Sequence, residues 1–306
     1  MNMLTRYTQK NLTWIDLVAP TPEEVRLLMK EFGFNPIIAQ ELLAVSVRSK
    51  VERYDDAIYA VLHFPVLHGK KEITRVTQEV DLIIGKNYLI TTRFENITSL
   101  ESFAKAFEVD SVLGREGQHI HGGHLFAAIM RNLYRALLIE TESIKTKLLD
   151  VEERLFDGKE KDMVLEISHI GRIIHDFRQA LNPHEEMLTS LEAPIERMFG
   201  HEFSYYMSSV IAEYERVSRS AESLREIMLE MRETNNSLLS AKQNEVMKNF
   251  SVLAFVFVPI SLIMALYQMN LPHTPFAGEI DFWAILGGIV LISVACFLYF
   301  RRKGWL

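Results

Sequence analysis

Between Phe250 and Phe300 only Glu279 and Asp281 are ionised at neutral pH, although 24% of the 306 residues are Asp, Glu, Lys or Arg. Two apolar runs fill that interval. Phe250 to Tyr267 is interrupted only by Ser251, Pro259 and Ser261, and Phe282 to Phe300 stays apolar or small until Arg301-Arg302-Lys303. Each approaches the roughly 20 residues that cross the hydrocarbon core of a bilayer, and helix on its N-terminal side lengthens the first. The stretch between them holds no Lys or Arg, whereas Lys242 and Lys248 precede the first run and three basic residues follow the second. Basic residues stay on the cytoplasmic side, so both termini are expected there, with Glu279 and Asp281 in an external loop. The N-terminus has no apolar signal core, in keeping with a body that remains cytoplasmic beneath the plasma (inner) membrane.

Upstream runs a heptad seam: Phe203, Met207, Val210, Tyr214, Val217, Ala221, Leu224, Met228, Met231, Asn235 and Leu238, spaced 4-3-4-3 with no Pro or Gly between them. Such a seam predicts a long helix that needs a partner along its length. Stalk and first span together make a rod of about 65 residues, roughly 100 Å at 1.5 Å per residue. The expected partner is another stalk; packing on the chain's own domain is the plainer alternative.

Two further helices are predicted over 125–156 and 162–191, with Asp157-Gly158-Lys159 as the stop and restart between them. Before Gly117 the pattern becomes short strands, over 12–18, 57–64, 78–84 and 88–92. Thr21-Pro22-Glu23-Glu24 opens a helix, with a capping hydroxyl, Pro in the first turn and acids at the positive end of the dipole. The expected fold class is an α+β cytoplasmic domain, a mixed sheet with helices, carrying a long helical stalk and two transmembrane helices. Its parts are a cytoplasmic α/β region (1–118), a helical hairpin and connection (119–202), the stalk (203–248), a first span (249–268), an external loop (269–281), a second span (282–300) and a basic cytoplasmic tail (301–306).

A net charge of −7 argues against nucleic acid as partner, since phosphate binding needs a basic face, and suits cations better. The single Cys296, inside an apolar run, can form no intramolecular disulfide and reads as a packing residue. No phosphate loop, nucleophile elbow or metalloprotease helix is present, so no enzyme and no covalently bound cofactor is expected. His119, His121 and His124 in His-Ile-His-Gly-Gly-His offer three imidazoles within six residues and are weak candidates for a metal site. In the membrane part polar residues are rare and therefore informative, and Asn244, Ser261 and Asn270 stand out. An Asn at the end of a span can also be a plain helix cap.

The segment from Asn244-Glu245-Val246-Met247-Lys248 through Pro259 and Tyr267-Gln268-Met269-Asn270 to Lys303-Gly304-Trp305-Leu306 resembles the CorA family of magnesium transporters. Tyr54-Asp55-Asp56-Ala57-Ile58-Tyr59 leading into Leu62-His63-Phe64-Pro65 is similar to the family's early strand, and the order of parts agrees along the whole chain. The resemblance implies a homopentameric funnel in which first spans line a pore and second spans form an outer ring. It implies Mg2+, with Co2+ or Ni2+, as the transported ion, and Mg2+ as regulator. It places Asn270, Met269 and Gln268 at the selectivity mouth, and Asn244, Met247, Phe250, Val258 and Ser261 along the pore. The family's usual signature is Gly-Met-Asn, and Gln268 stands here in place of that Gly. Relatives are regulated through acidic sites between subunits. The corresponding stalk stretch carries Ser208-Ser209, with Glu213 and Glu215 within two turns. Two alternatives stay open: a Zn2+ transporter of the related ZntB type, and a non-conducting, membrane-anchored scaffold.

Overall fold

The computed structural model of the chain describes residues 3–54, 56–65, 77–113, 121–268 and 279–303. They fall into two compact units, Met1–Met231 and Arg232–Leu306. The first is built on a six-stranded sheet of order β1-β2-β6-β5-β4-β3: β1 (Met3–Gln9), β2 (Leu12–Val18), β3 (Lys50–Arg53), β4 (Ala57–Pro65), β5 (Thr77–Gly85) and β6 (Tyr88–Arg93). Only β2 and β6 pair in parallel; the other neighbours are antiparallel.

Alternation along the strands sorts residues to two faces. Ile15, Leu17, Tyr59, Val61, Ile83 and Ile90 point to one side, where α1 (Pro22–Phe32) and α2 (Pro36–Glu41) cover them with Val25, Leu28 and Ile38. The capping box predicted at Thr21 is present: Glu24 N donates to Thr21 Oγ1, and Thr21 N donates to Glu24. The opposite face holds Trp14, whose ring meets Phe103 and Phe107 of α3 (Thr98–Leu113), and Phe64, which meets Tyr134 of α4 (Gly122–Phe156).

His184, fully buried in α5 (Glu160–Phe199), ties the helical layer to the sheet. Its Nε2 lies 2.9 Å from the His63 carbonyl oxygen, which only accepts, so Nε2 carries the proton and Nδ1 accepts from Tyr134 Oη at 2.9 Å. Burial first of all holds this imidazole neutral, with its pKa lowered to about 4.

On the face covered by α1 and α2, Glu79 and Asp81 of β5 are both buried. Thr92 Oγ1 donates to Asp81 Oδ2, and Ser46 N donates to Glu79 Oε2, beside His63. Among the described residues Asp81 Oδ1 and Glu79 Oε1 have no other hydrogen-bond partner, and both are satisfied when Asp81 carries a proton and donates it to Glu79. Burial, then the charge of Glu79, pushes the Asp81 pKa well up. A raised carboxyl pKa means that the native state binds more protons, so its stability is fullest below the ordinary carboxylate value and falls as pH rises through the raised one. Asp81→Asn, whose amide donates to Glu79 permanently, is expected to remove that slope. Its melting temperature should match the parent's in mild acid and exceed it at alkaline pH. Parallel pH profiles for the two proteins would refute the shared proton.

The seam of α6 (Ser204–Gln268) is used inside the chain, which corrects the expectation that it pairs stalks. Phe203, Met207, Val210, Tyr214, Val217, Ala221, Leu224 and Met231 are all buried. Tyr214 lies against Tyr134 and His184, Ser220 bonds Thr141, Met228 packs on Gly171 and Arg178 pairs with Glu222. The seam thus fills the groove between α4 and α5. A heptad pattern states that a face will be buried, and two antiparallel helices of the same chain supply the cover at no translational cost.

Candidate functional site

The second unit contains the rest of α6 and α7 (Glu279–Arg302). α6 includes a window apolar and long enough to cross a membrane. Asn244, Met247, Phe250, Val258 and Ser261 all lie on it, and all are exposed. At 100° per residue they fall within an arc of about 120°. Val252, Val256, Pro259, Ile260 and Ile263, buried or half-buried, cluster on the other side. Phe255 touches Phe300 of α7 with ring centroids 5.9 Å apart.

Ser261 Oγ donates to the Val258 carbonyl at 2.9 Å, and Ser251 Oγ donates to that of Met247 at 2.8 Å. Both hydroxyl protons are thereby held by the helix backbone, as apolar surroundings require. The Ser261 oxygen keeps lone pairs for a donor such as the water of a hydrated cation. Asn244 offers a neutral amide, and Met247 and Phe250 offer only apolar surface. One side of α6 therefore presents uncharged polar groups, Asn244, Ser251 and Ser261, interspersed with the apolar Met247, Phe250 and Val258.

Gln268 is the last residue of α6, while Met269 and Asn270 lie outside the described residues. α7 starts three residues before the span expected at Phe282, which draws Glu279 and Asp281 from the expected loop into its first turn. On the stalk, Glu213 is buried and pairs with Arg135 at 3.0 Å and Arg216 at 3.4 Å. Glu215 pairs with Arg219 at 3.1 Å, and Ser209 accepts from Arg131 at 3.5 Å. Both carboxylates are thus already engaged with arginines of their own chain.

Of the histidine cluster, His119 lies outside the described residues. The other two lie in contact: the His121 and His124 ring centroids are 3.9 Å apart with the rings tilted by 49°, and His121 lies parallel to Phe199 at 4.4 Å. Burial lowers both pKa values, and the neighbouring His124 helps bring His121 to about 4. Among the described residues no three His, Cys, Asp or Glu side chains converge as a metal would need.

The CorA-like Mg2+ transporter family model matches residues 9–302. The chain belongs to that family. It is 23% identical over 296 residues to the cobalt/magnesium transport protein CorA of Thermotoga maritima, covering 96% of this chain and 83% of that one. With CorA of Methanocaldococcus jannaschii the identity is 22% over 298 residues, covering 96% and 92%. The complete structure of that archaeal magnesium transporter superposes with a TM-score of 0.83 over 98% of this chain and 93% of its own, at 21% identity. The cytoplasmic domain of ZntB from Vibrio parahaemolyticus gives a TM-score of 0.55 over 79% of this chain and all of its own, at 12% identity. These likenesses establish the shared fold, of a mixed sheet with helices and a long helix, and the ZntB alternative is not favoured. CorA-like proteins are membrane transporters rather than enzymes.

The five residues on one side of α6 were named from the resemblance to the CorA family, and their spacing is that of one helical face. What the sequence reading missed is the surrounding of the histidines, because Phe199, Phe203 and Tyr206 reach them only through the turn at Gly200 that ends α5 and starts α6.

Proposed function

We propose that the chain is one subunit of a homopentameric, channel-like transporter that carries divalent cations, Mg2+ foremost with Co2+ or Ni2+ beside it, across the plasma membrane. The observation that carries this reading is the row Asn244, Met247, Phe250, Val258 and Ser261 on one exposed side of α6, away from its buried residues. A membrane helix with uncharged polar groups on its uncovered side suits contact with copies of itself around an aqueous path. In this arrangement α6 lines the path, α7 is the second span and both termini are cytoplasmic. The basic Arg301 and Arg302 at the end of α7 favour that orientation.

The chemistry fits a cation that keeps its water. Mg2+ dehydrates reluctantly, so amide and hydroxyl oxygens that accept hydrogen bonds from its first-shell waters hold it without stripping them. Asn244 and Ser261 supply such oxygens along α6, and Asn270, with Met269 and Gln268, supplies the outer ring. Met247 and Phe250 form an apolar constriction that closes by dewetting. For a divalent ion the membrane potential provides about 4.6 kcal/mol per 100 mV.

Liposomes containing the protein and an entrapped Mg2+-sensitive dye are expected to show Mg2+ entry above protein-free controls, faster with an inside-negative potential. An absent Mg2+ signal, or a Zn2+ signal that requires a proton gradient in its stead, overturns the proposal.

A further inference from the structure

Cation transport leaves the His121–His124 pair without a use, and the pair opens onto a cavity of about 630 Å³ in the first unit. The cavity lies between α3, the start of α4 and the start of α6, and its size falls in the roughly 300–1,000 Å³ range of small-molecule sites. Three of its polar groups come from one face at the start of α4: His121, His124 and Arg131 follow the helical spacing that also brings Ala128 into the lining, and Gln9, Glu202 and Tyr206 add polar groups from elsewhere. Phe103, Phe107, Phe199 and Tyr206 give it flat walls.

Two features point to what it holds. Arg131 has no carboxylate within ion-pairing distance among the described residues. Its polar contact is Ser209 Oγ at 3.5 Å, and its Nε is buried without a partner. A half-buried guanidinium without a counter-charge is costly and favours a bound anion, above all a phosphate. Among the described residues His121 Nδ1 is likewise buried without a partner, on a ring that low basicity keeps neutral. The carboxylate in the lining, Glu202, belongs to an exposed residue.

We propose that this cavity binds a nucleoside phosphate, the phosphate on Arg131 and the base between the aromatic walls beside His121. Aromatic walls alone would take any apolar ring, and Arg131 alone any anion; one cavity containing both selects a molecule that is both.

Titration calorimetry of the full-length protein in detergent, with AMP in metal-free buffer, is expected to show saturable binding at one site per chain. Adenosine and inorganic phosphate, each carrying half of the recognised chemistry, should bind at least roughly tenfold more weakly. Arg131→Gln should weaken AMP by a similar factor, and Ala128→Phe, which fills the cavity and leaves Arg131 in place, should abolish binding. Both variants are to be melted alongside the parent, so that loss of binding with an unchanged melting temperature reports on the site. No saturable AMP binding to the parent protein overturns the proposal. So does phosphate binding as tightly as AMP, or an affinity that a folded Ala128→Phe retains.

Discussion

Asn270→Ala is expected to cut Mg2+ entry into liposomes by roughly tenfold or more, equivalent to about 1.4 kcal/mol on the barrier. The substitution removes one neutral acceptor per subunit from the proposed outer ring, and with it the hydrogen bonds to the waters of the arriving ion. Hydrogen bonds to charged groups contribute about 1.5–3 kcal/mol each, so the loss of several acceptors around one ion exceeds what neighbouring residues restore. Asn270→Asp separates acceptor from charge. It keeps the oxygens but adds negative charge, and it should hold the cation too tightly for rapid passage. Unchanged flux in Asn270→Ala would reduce the residue to a helix cap. Gln268→Gly bears on the same mouth: α6 runs helically up to Gln268, and glycine there restores the conformational freedom of the family's usual signature. A rise in flux would mark Gln268 as a brake; a fall would mark its amide as part of the ring.

The strands over 12–18, 57–64, 78–84 and 88–92 could be read from sequence because each is central, and burial on both faces demands a continuous apolar run. β1 and β3 could not. β1 lies at one edge of the sheet with only Leu4, Tyr7 and Gln9 half-buried among its described side chains, and β3 is four residues at the other edge, bearing Lys50 and Glu52. Their pairing comes from neighbours distant in sequence, which local pattern does not reveal. α5 was expected to end near Leu191 but runs through Pro183 and Pro194 to Phe199. Proline removes a backbone hydrogen bond, yet the buried series Phe177, Leu181, His184, Leu188, Leu191 and Ile195 continues across both prolines and outweighs it. The α6 seam shows the converse: its period was correct and its partner was not, since periodicity carries no information about which chain supplies the cover. At the candidate site the row on α6 was named through the resemblance to the CorA family, with which its helical spacing agrees. The cavity beside His121 draws on four helices, and the histidine cluster was its sole trace in the sequence.

Gly122→Ala should be the most destabilising single-methyl addition among the described glycines of the first unit. Gly122 N donates to the Lys86 carbonyl at 2.8 Å, which brings the start of α4 directly onto the turn between β5 and β6. A Cβ there would stand 2.6 Å from the Tyr88 carbonyl oxygen and closer still to that of Gly85. Both are backbone atoms at the ends of paired strands, so neither can turn aside as a side chain would. Relief requires α4 to lift from the sheet, which opens the Phe64–Tyr134 contact and the bond from Tyr134 to His184. Overpacking of this kind costs about 1–3 kcal/mol or more, and for a unit of this size each kcal/mol lowers the melting temperature by roughly 2–4 °C. Gly123→Ala is the matched control. Its Cβ would meet Phe199 and Phe203 at 2.9 and 3.0 Å, but these are side-chain rings that can shift. A melting temperature clearly lower for Gly122→Ala than for Gly123→Ala is therefore expected in the full-length protein. Equal melting would mean that the junction of sheet and α4 yields more easily than its backbone contacts imply. The position of His121 and His124, set by where α4 begins, would then be adjustable as well.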